Sequence, residues 1–351
     1  MRYKEIIELN GEQLSKAHIA SLNKEQRKAM IEPLFNKLRE IGWMLPDFEP
    51  EKFYKSYNSL VDFLPDIDLM EIYNNSSVCS NICQYFCANE FFNATDRKGK
   101  KVKRTLKEVF ENDGLLRKIC FNRLGLDWYD DSPQETFNLS PKMCMFQALR
   151  SMRLVPQTSF FKADIAKCIY MKYSQENDIV YDFSSGFGGR ALGALSCNRK
   201  YIGIDPLTTN SIQRMLNFLK IDKDRYQLND GISEDYKGEE NSIDFAFSSP
   251  PYYDQEYYSS DINQAYNKDE DYFYNVYWQK TLENIKYMLK KDKLLAINLG
   301  IKNDRMFKMA KEVFNEPVEI FRLRTVKSHL NKTGKSDATK YEPVYIFKNR
   351  G

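Results

Sequence analysis

The sequence predicts an α/β protein in which a mostly parallel, doubly wound sheet follows a mainly helical N-terminal region. Three observations predict it. From about residue 156 onward, short apolar runs alternate with segments of helical periodicity, as in a parallel sheet with crossover helices. A glycine-rich turn follows the first of these runs, at 184–189. The last two runs, 318–323 and 344–347, have no helix between them, so we expect them to pair as an antiparallel hairpin.

The spacing of apolar residues places each element. In the N-terminal region, amphipathic segments at 14–38 and 60–92 predict several short helices, which prolines interrupt. In the second region, strands are expected at 178–183, 201–204, 243–247, 294–299, 318–323 and 344–347. Helices are expected there at 191–196, 211–219, 274–289 and 305–314.

Length and composition indicate a globular protein of two domains. The chain has 351 residues, of which 42% are hydrophobic and 29% charged. We place a helical domain at 1–150, as a candidate target-recognition or nucleic-acid-binding domain, and a catalytic domain at 151–351. No apolar stretch approaches the roughly 20 residues of a membrane span, and the N-terminus lacks the apolar core of a signal peptide. We therefore expect a cytoplasmic protein without a membrane partner.

Seven cysteines are scattered along the chain, and three of them recur every four residues, at Cys79, Cys83 and Cys87. This spacing places the three thiols on one stripe of a helix. With only two histidines in the chain, ligands that could complete a zinc site are scarce. We therefore expect buried helical cysteines and no metal site.

The turn at 182–190, Asp-Phe-Ser-Ser-Gly-Phe-Gly-Gly-Arg, predicts a nucleotide site at the carboxyl edge of the sheet. The next strand ends at Asp205, whose carboxylate can accept hydrogen bonds from two ribose hydroxyls. Asp230 follows later and is a candidate partner for an adenine amino group; a plain turn residue before Gly231 is the alternative.

Two cofactors are compatible with this turn. Residues 186–191 formally match the dinucleotide pattern G-x-G-x-x-G/A, with Asp205 at a suitable distance. However, the carboxylate of Asp182 at the strand end would repel a pyrophosphate, whereas it could hold the cationic amino group of a methionine moiety. The glycine pattern alone leaves both cofactors open; together with the tetrapeptide at 249–252, described next, it favours S-adenosylmethionine over a nicotinamide dinucleotide.

Ser249, Pro250, Pro251 and Tyr252 end the apolar run 243–247. Each proline fixes φ and has no N–H, so the turn is stiff and its carbonyl groups can face a ligand. The Ser249 hydroxyl and the Pro250 carbonyl can accept the hydrogens of an exocyclic amine, and Tyr252 can stack on the ring that bears it. The tetrapeptide therefore predicts a pocket for an amino-bearing planar base.

In this order, the motifs resemble those of the DNA amino-methyltransferases, which methylate cytosine N4 or adenine N6. The resemblance rests on 182–188, Asp205 and the tetrapeptide 249–252, with further similarity at 159–166, 294–300 and 342–347. It implies a Rossmann-like methyltransferase fold, S-adenosylmethionine as cofactor, and transfer to a base that is flipped out of the duplex. It implies catalytic roles for Ser249, Pro250, Pro251 and Tyr252, and cofactor contacts from Phe161, Asp182, Ser184, Gly186, Gly188, Asp205 and Asp230.

Double-stranded DNA is the expected partner, and a restriction nuclease is a second candidate. A basic cluster at 97–107 includes Lys100, Lys101, Lys103 and Arg104, which we expect to contact phosphates. A second basic stretch lies at 322–340. Two alternatives stay open: an RNA base methyltransferase of the same fold, and a catalytically silent nucleic-acid-binding subunit. The target base and the oligomeric state are not predicted.

Overall fold

The computed structural model describes residues 8–9, 11–43, 45–73, 77–98, 101–127, 160–260, 264–300, 303–325 and 340–351. The chain divides into two compact units, one formed by 49–87 with 159–351 and the other by 1–48 with 88–158. The domain boundary expected at residue 150 lies outside the described residues. Segment 49–87, which the sequence analysis assigned to the helical domain, groups with the unit that contains the large sheet.

The sheet-bearing unit alternates helices and strands along the chain. Its strands and α-helices are α1 (Pro50–Asp62), β1 (Glu71–Tyr73), α2 (Ser80–Phe86), α3 (Ala163–Tyr173), β2 (Ile179–Asp182), α4 (Gly189–Leu195), β3 (Lys200–Ile204), α5 (Thr209–Phe218), β4 (Tyr226–Asn229), β5 (Ile243–Ser248), α6 (Gln279–Met288), β6 (Leu289–Asn298), α7 (Asp304–Phe314), β7 (Glu319–Thr325) and β8 (Lys340–Lys348).

The eight strands form one sheet in the order β1-β7-β8-β6-β5-β2-β3-β4. Neighbouring strands from β6 to β4 pair in parallel, and β8 pairs antiparallel with both β6 and β7. The predicted α/β fold, a mostly parallel doubly wound sheet with an antiparallel C-terminal hairpin, is therefore confirmed. Because β8 is reversed, its first residues lie at the same edge as the carboxyl ends of the parallel strands.

All six residues of the central strand β5 are buried, which is typical of a parallel strand covered by helices on both faces. This burial stabilises the sheet. By contrast, β1 and β4 are edge strands that sequence analysis missed. The residues of β4 are at most half-buried, so no continuous apolar run marks this strand.

Segment 49–87 joins the sheet-bearing unit through aromatic packing and capping. Phe53 of α1 is buried against Phe86 and Phe218. The Lys167 ammonium of α3 donates to the carbonyl groups of Leu60 and Val61, at 2.8 Å each, at the C-terminal end of α1. The contacts of Phe53 with Phe218 and of Lys167 with α1 link residues more than 100 positions apart, so the local sequence could not predict them.

The helix expected at 274–289 is two helices. A π-helix spans Tyr272–Trp278 and continues directly into α6. Its buried aromatic side chains belong to the main core, and the Trp278 indole donates to the Met306 carbonyl at 2.9 Å. Wide helical turns of this kind are frequent near functional sites.

The second unit is mainly helical within its described residues. Two capping boxes, at Asn23 with Gln26 and at Thr105 with Glu108, begin two of its helices. Its elements are strands Glu8–Leu9 and Glu12–Gln13, helices Lys16–Ser21, Lys24–Ala29, Ile31–Ile41 and Ala88–Asn93, the hairpin Thr95–Lys98 with Lys101–Val102, and helices Leu106–Glu111 and Asp113–Arg123. Among the described helices of the chain, none has the length and apolarity needed to cross a bilayer.

The stripe of cysteines lies on α2 and at its two ends. Cys79, Cys83 and Cys87 are all buried. Burial raises the pKa of the Cys79 thiol to about 12, so this thiol stays protonated at neutral pH. Within the described parts of the chain, no cluster of histidine, cysteine or carboxylate side chains could hold a metal ion.

Candidate cofactor and acceptor site

A cavity of about 230 Å³ opens at the carboxyl edge of the sheet. The strand order fixes which residues meet there, because each parallel strand delivers its following loop, and the reversed β8 its first residues, to the same edge. Asp205 and Glu234 come from the loops after β3 and β4, at one end of this strand order, and Glu342 comes from β8, at the other. Ser184 and Ser249, which follow β2 and β5, lie between them.

The glycine-rich turn combines left-handed backbone with close packing. Gly188 has φ of +82°, a conformation that side chains disfavour. A Cβ at Gly189 would overlap the carbonyl oxygen of Phe161. Glycine at these two positions therefore lets α4 begin directly beneath Phe161, which lines the cavity.

Asp205 fastens this turn to the end of β3. Its carboxylate accepts hydrogen bonds from the backbone N–H groups of Gly186, Leu207 and Thr208, each at 2.9 Å. Burial raises the pKa of Asp205, and these hydrogen bonds partly oppose that effect. Unlike Asp182, which is described next, Asp205 lines the cavity, so its carboxylate can face hydroxyl groups of a ligand.

Asp182 lies beneath the turn and not on the cavity wall. Its side chain is fully buried, and Oδ2 accepts from the Arg190 guanidinium at 2.9 Å and from the Tyr201 hydroxyl at 2.8 Å. Oδ1 accepts from the Ser248 hydroxyl at 2.7 Å and from the Ser184 N–H at 3.4 Å. Sequence analysis expected Asp182 to contact the amino group of a methionine moiety. In the structure, four protein donors already occupy the Asp182 carboxylate, and the residue does not line the cavity.

Arg190 connects the buried carboxylate to the cavity. Its guanidinium pairs with Asp182 and also donates to the Ser184 carbonyl. The guanidinium carbon lies 5.3 Å from the centre of the Phe161 ring, and Arg190, Ser184 and Phe161 all line the cavity. Asp182 therefore acts on the cavity through Arg190, as a positioning residue.

Ser249 forms a hydrogen bond whose direction is fixed by its partner. The Asn298 amide nitrogen donates to the Pro343 carbonyl at 3.1 Å, and a carbonyl can only accept. Asn298 Oδ1 must therefore face Ser249, whose hydroxyl donates to it at 3.1 Å. Because the hydroxyl proton is engaged, Ser249 Oγ can offer only lone pairs to a ligand.

Tyr252 is held in place by the same strand end. Its hydroxyl accepts from the Gly300 N–H at 2.8 Å and donates to the Asn298 carbonyl at 3.4 Å. Both contacts anchor the distal end of the ring, which lines the cavity beside Pro250 and Pro251. The ring position is therefore fixed by Asn298 and Gly300, at the end of β6 and just after it.

Two buried polar groups in the cavity wall lack partners among the described residues. Glu234 accepts from the Tyr272 hydroxyl at 3.1 Å through Oε1, and its Oε2 has no hydrogen bond. The amide nitrogen of Gln264 is likewise without an acceptor. Burial raises the pKa of Glu234, an effect that the Tyr272 hydrogen bond partly opposes. An unused acceptor and an unused donor in one cavity indicate a polar ligand.

The structure brings most of the predicted site residues to this cavity. Gly188 and Asp230 do not line it, and the Asp230 side chain is exposed. Lys101, Lys103 and Arg104 are exposed in the other unit, where Lys103 pairs with Asp96, and Lys100 lies outside the described residues. The predicted residues that line the cavity are Phe161, Ser184, Gly186, Asp205, Ser249, Pro250, Pro251 and Tyr252.

The polar residues of the cavity wall that sequence analysis missed include Arg190, Glu234, Gln264, Asn298 and Glu342. Arg190 stands inside the recognised glycine motif, Asn298 lies near the end of one predicted strand and Glu342 shortly before another, whereas Glu234 follows β4, which was not predicted. Polar residues at strand ends therefore were a usable signal, but their partners come from strands distant in sequence.

No protein-family model matches this chain, and no curated protein matches it significantly. Solved structures similar to it include 1,6-didemethyltoxoflavin-N1-methyltransferase of Burkholderia thailandensis with bound S-adenosylhomocysteine (13% identity, TM-score 0.37, 53% of this chain and 77% of that chain). A TehB-like SAM-dependent methyltransferase of Corynebacterium glutamicum has 13% identity and a TM-score of 0.36, covering 58% and 93% of the two chains. TrmN of Thermus thermophilus has 10% identity and a TM-score of 0.38, covering 53% and 48%. Similarities this distant carry no information about substrate.

Proposed function

We propose that the protein is an S-adenosylmethionine-dependent methyltransferase that modifies the exocyclic amino group of a base in DNA, at cytosine N4 or adenine N6. The observation that carries the proposal is the acceptor character of Ser249. Because its proton is directed to Asn298, Ser249 Oγ complements a hydrogen-bond donor, as does the carbonyl of the adjacent Pro250. Two neighbouring acceptors match a primary amine, which has two hydrogens to donate.

The residues at the other end of the cavity fit the cofactor. The carboxylate of Asp205 can accept from ribose hydroxyls, and the turn at Gly186 lets the backbone approach the ligand. Glu234 Oε2 and the Gln264 amide nitrogen offer the acceptor and the donor that an adenine edge requires. When bound, S-adenosylmethionine supplies a methyl group on a sulfonium, which is a leaving group that needs no further activation.

Orientation is the main contribution of the acceptor residues. Hydrogen bonds from the amine to Ser249 and Pro250 fix both N–H bonds and thereby fix the direction of the nitrogen lone pair. Tyr252 offers a ring face on which a flipped base can stack, and its own hydroxyl is anchored to β6. Because the amine and the ring are already fixed in the bound state, the base loses little further rotational freedom on reaching the transition state.

Support for DNA as the polymer comes from charge. Lys101, Lys103 and Arg104 lie on or directly after the hairpin of the second unit, and all three are exposed. Clustered basic side chains neutralise phosphates and give affinity without sequence information. These three residues are therefore candidates for contacts with the phosphates of DNA.

The test is transfer of a labelled methyl group from S-adenosylmethionine to duplex DNA, single-stranded DNA and RNA in parallel. We expect label in DNA with the wild type. We expect Tyr252→Ala to bind the cofactor with unchanged affinity and to transfer no label. Label in RNA alone would overturn the choice of polymer, and a protein that does not bind the cofactor would overturn the whole proposal.

A further inference from the structure

We propose that Glu342 determines which base is accepted, by donating a hydrogen bond as a neutral acid to the ring nitrogen next to the exocyclic amine. This role rests on the function proposed above and adds a specificity residue on β8, the strand farthest along the chain. Nothing in the tetrapeptide motif itself assigns a partner to the ring nitrogen of the base.

The register of the sheet places Glu342 beside the acceptor pair. Ser248 of β5 pairs with Ile297 of β6, so the next residues on each strand, Ser249 and Asn298, are also neighbours, as their hydrogen bond shows. Asn298 in turn pairs with Val344 of β8. Glu342 precedes Val344 by two residues, so it lies on the same face, one step closer to the edge.

Contacts within the cavity agree with this placement. Glu342 and Leu323, its cross-strand partner on β7, both line the cavity with Ser249 and Asn298. Burial raises the pKa of Glu342, and a hydrogen bond from the Asn298 side chain partly offsets the increase. The neutral form is therefore more accessible here than at an exposed glutamate, and it has an O–H to donate.

The chemistry of the bases explains the selectivity. In cytosine and adenine, the amine stands next to a ring nitrogen that only accepts hydrogen bonds. In guanine, the amine lies between two ring nitrogens: N1, which carries a hydrogen and donates, and N3, which accepts. A row formed by two acceptors, Ser249 and Pro250, and one donor, Glu342, therefore complements the Watson–Crick edge of cytosine or adenine and opposes the Watson–Crick edge of guanine.

Two variants of Glu342 separate this role from a general need for charge. Glutamine keeps a donor and an acceptor but carries no acidic proton, whereas alanine removes both. We would measure kcat/KM for methyl transfer to a DNA duplex, together with the Kd for S-adenosylhomocysteine and the melting temperature. Ile320→Ala, at an exposed position of β7 outside the cavity wall, is the control for removal of a side chain from this part of the sheet.

We expect Glu342→Gln to stay within about threefold of the wild type and Glu342→Ala to lose roughly 10- to 100-fold, with cofactor affinity unchanged in both. An alanine variant as active as the wild type would overturn the assignment. A glutamine variant as inactive as the alanine variant would also overturn it, because the charge would then be the essential property. If the wild type transfers no methyl group to DNA, the proposed function fails and this assignment fails with it.

Discussion

The Ser249 hydroxyl donates to Asn298 Oδ1 at 3.1 Å, and this bond determines what the acceptor pocket can recognise. Asn298 cannot rotate its amide to reverse the bond, because its nitrogen is committed to the Pro343 carbonyl. A side chain on β6 thereby sets the hydrogen-bonding character of a side chain that follows β5. Under the proposed function, this hydrogen-bonding character would favour methyl acceptors that carry an amino group.

Replacing Asn298 by alanine should leave the Ser249 hydroxyl without its fixed acceptor. The hydroxyl can then rotate, which should weaken the hydrogen bond that Ser249 Oγ accepts from the amine. We expect Asn298→Ala to lower kcat by about 10- to 100-fold and to leave cofactor affinity within about twofold. Single-turnover kinetics and calorimetric binding of S-adenosylhomocysteine measure the two quantities. Adding Ser249→Ala to Asn298→Ala should cost little more, because both changes remove the same oriented acceptor. Fully additive losses would contradict this coupling.

The ion pair between Asp182 and Arg190 should dominate the stability of the glycine turn. Both side chains are buried, so Asp182→Asn would leave the guanidinium without its counter-charge. We expect a loss of about 3–5 kcal/mol in the free energy of unfolding, measured by urea denaturation. The double variant with Arg190→Met should recover part of this loss, since it removes the stranded charge. Two independent, additive losses would argue against a coupled pair.

Glu234 predicts a specific pH dependence of stability. Its pKa is raised above the ordinary value of 4.5, mainly by burial, so the folded protein holds this proton more tightly than the unfolded chain. The contribution of Glu234 to the free energy of unfolding is therefore fully present below about pH 4.5, and it is lost as pH rises through the raised pKa.

Denaturation curves between pH 4 and pH 8, the range roughly bracketing that transition, test the sign. Glu234→Gln should reduce the decline that the wild type shows above pH 4.5, to which Asp205 and Glu342 also contribute, and the exposed Glu312→Gln should leave that decline unchanged. A Glu234→Gln profile parallel to the wild-type profile would show that the carboxyl group titrates normally.

The basic cluster predicts the salt dependence of DNA binding. Changing Lys101, Lys103 and Arg104 to glutamine should weaken binding and flatten the plot of log K against log salt by about 0.9 per lost phosphate contact. The control changes three exposed lysines outside this cluster, Lys223, Lys291 and Lys308, to glutamine. Equal slopes for the two triple variants would show that the cluster is not part of the DNA-binding surface.

Sequence alone could predict the fold because buried parallel strands have a strong local signature. The mostly apolar strand β5 and the antiparallel pairing of β7 with β8 follow from runs of residues that are adjacent in the chain. The edge strand β4 escaped prediction, since a half-exposed strand has no continuous apolar run. For the same reason, the three residues of β1 gave no signal.

The functional site, like the fold, was predictable from sequence only where its residues are adjacent in the chain. The motifs located the turn at Gly186 and the pocket at Ser249, because those residues are contiguous. Sequence did not reveal that Asp182 is occupied by Arg190 and Tyr201, nor that Asn298 and Glu342 share a face with Ser249. These relationships depend on strand order and register, which bring together residues up to about 90 positions apart.

Identification of the methylated nucleoside tests the account most directly. DNA from cells that express the wild type, and from cells that express Tyr252→Ala, would be digested and analysed by mass spectrometry. We expect N4-methylcytosine or N6-methyladenine with the wild type and neither with the variant. A methyl group found on a ring carbon, or no modified nucleoside despite cofactor binding, would contradict a pocket built to hold an amine.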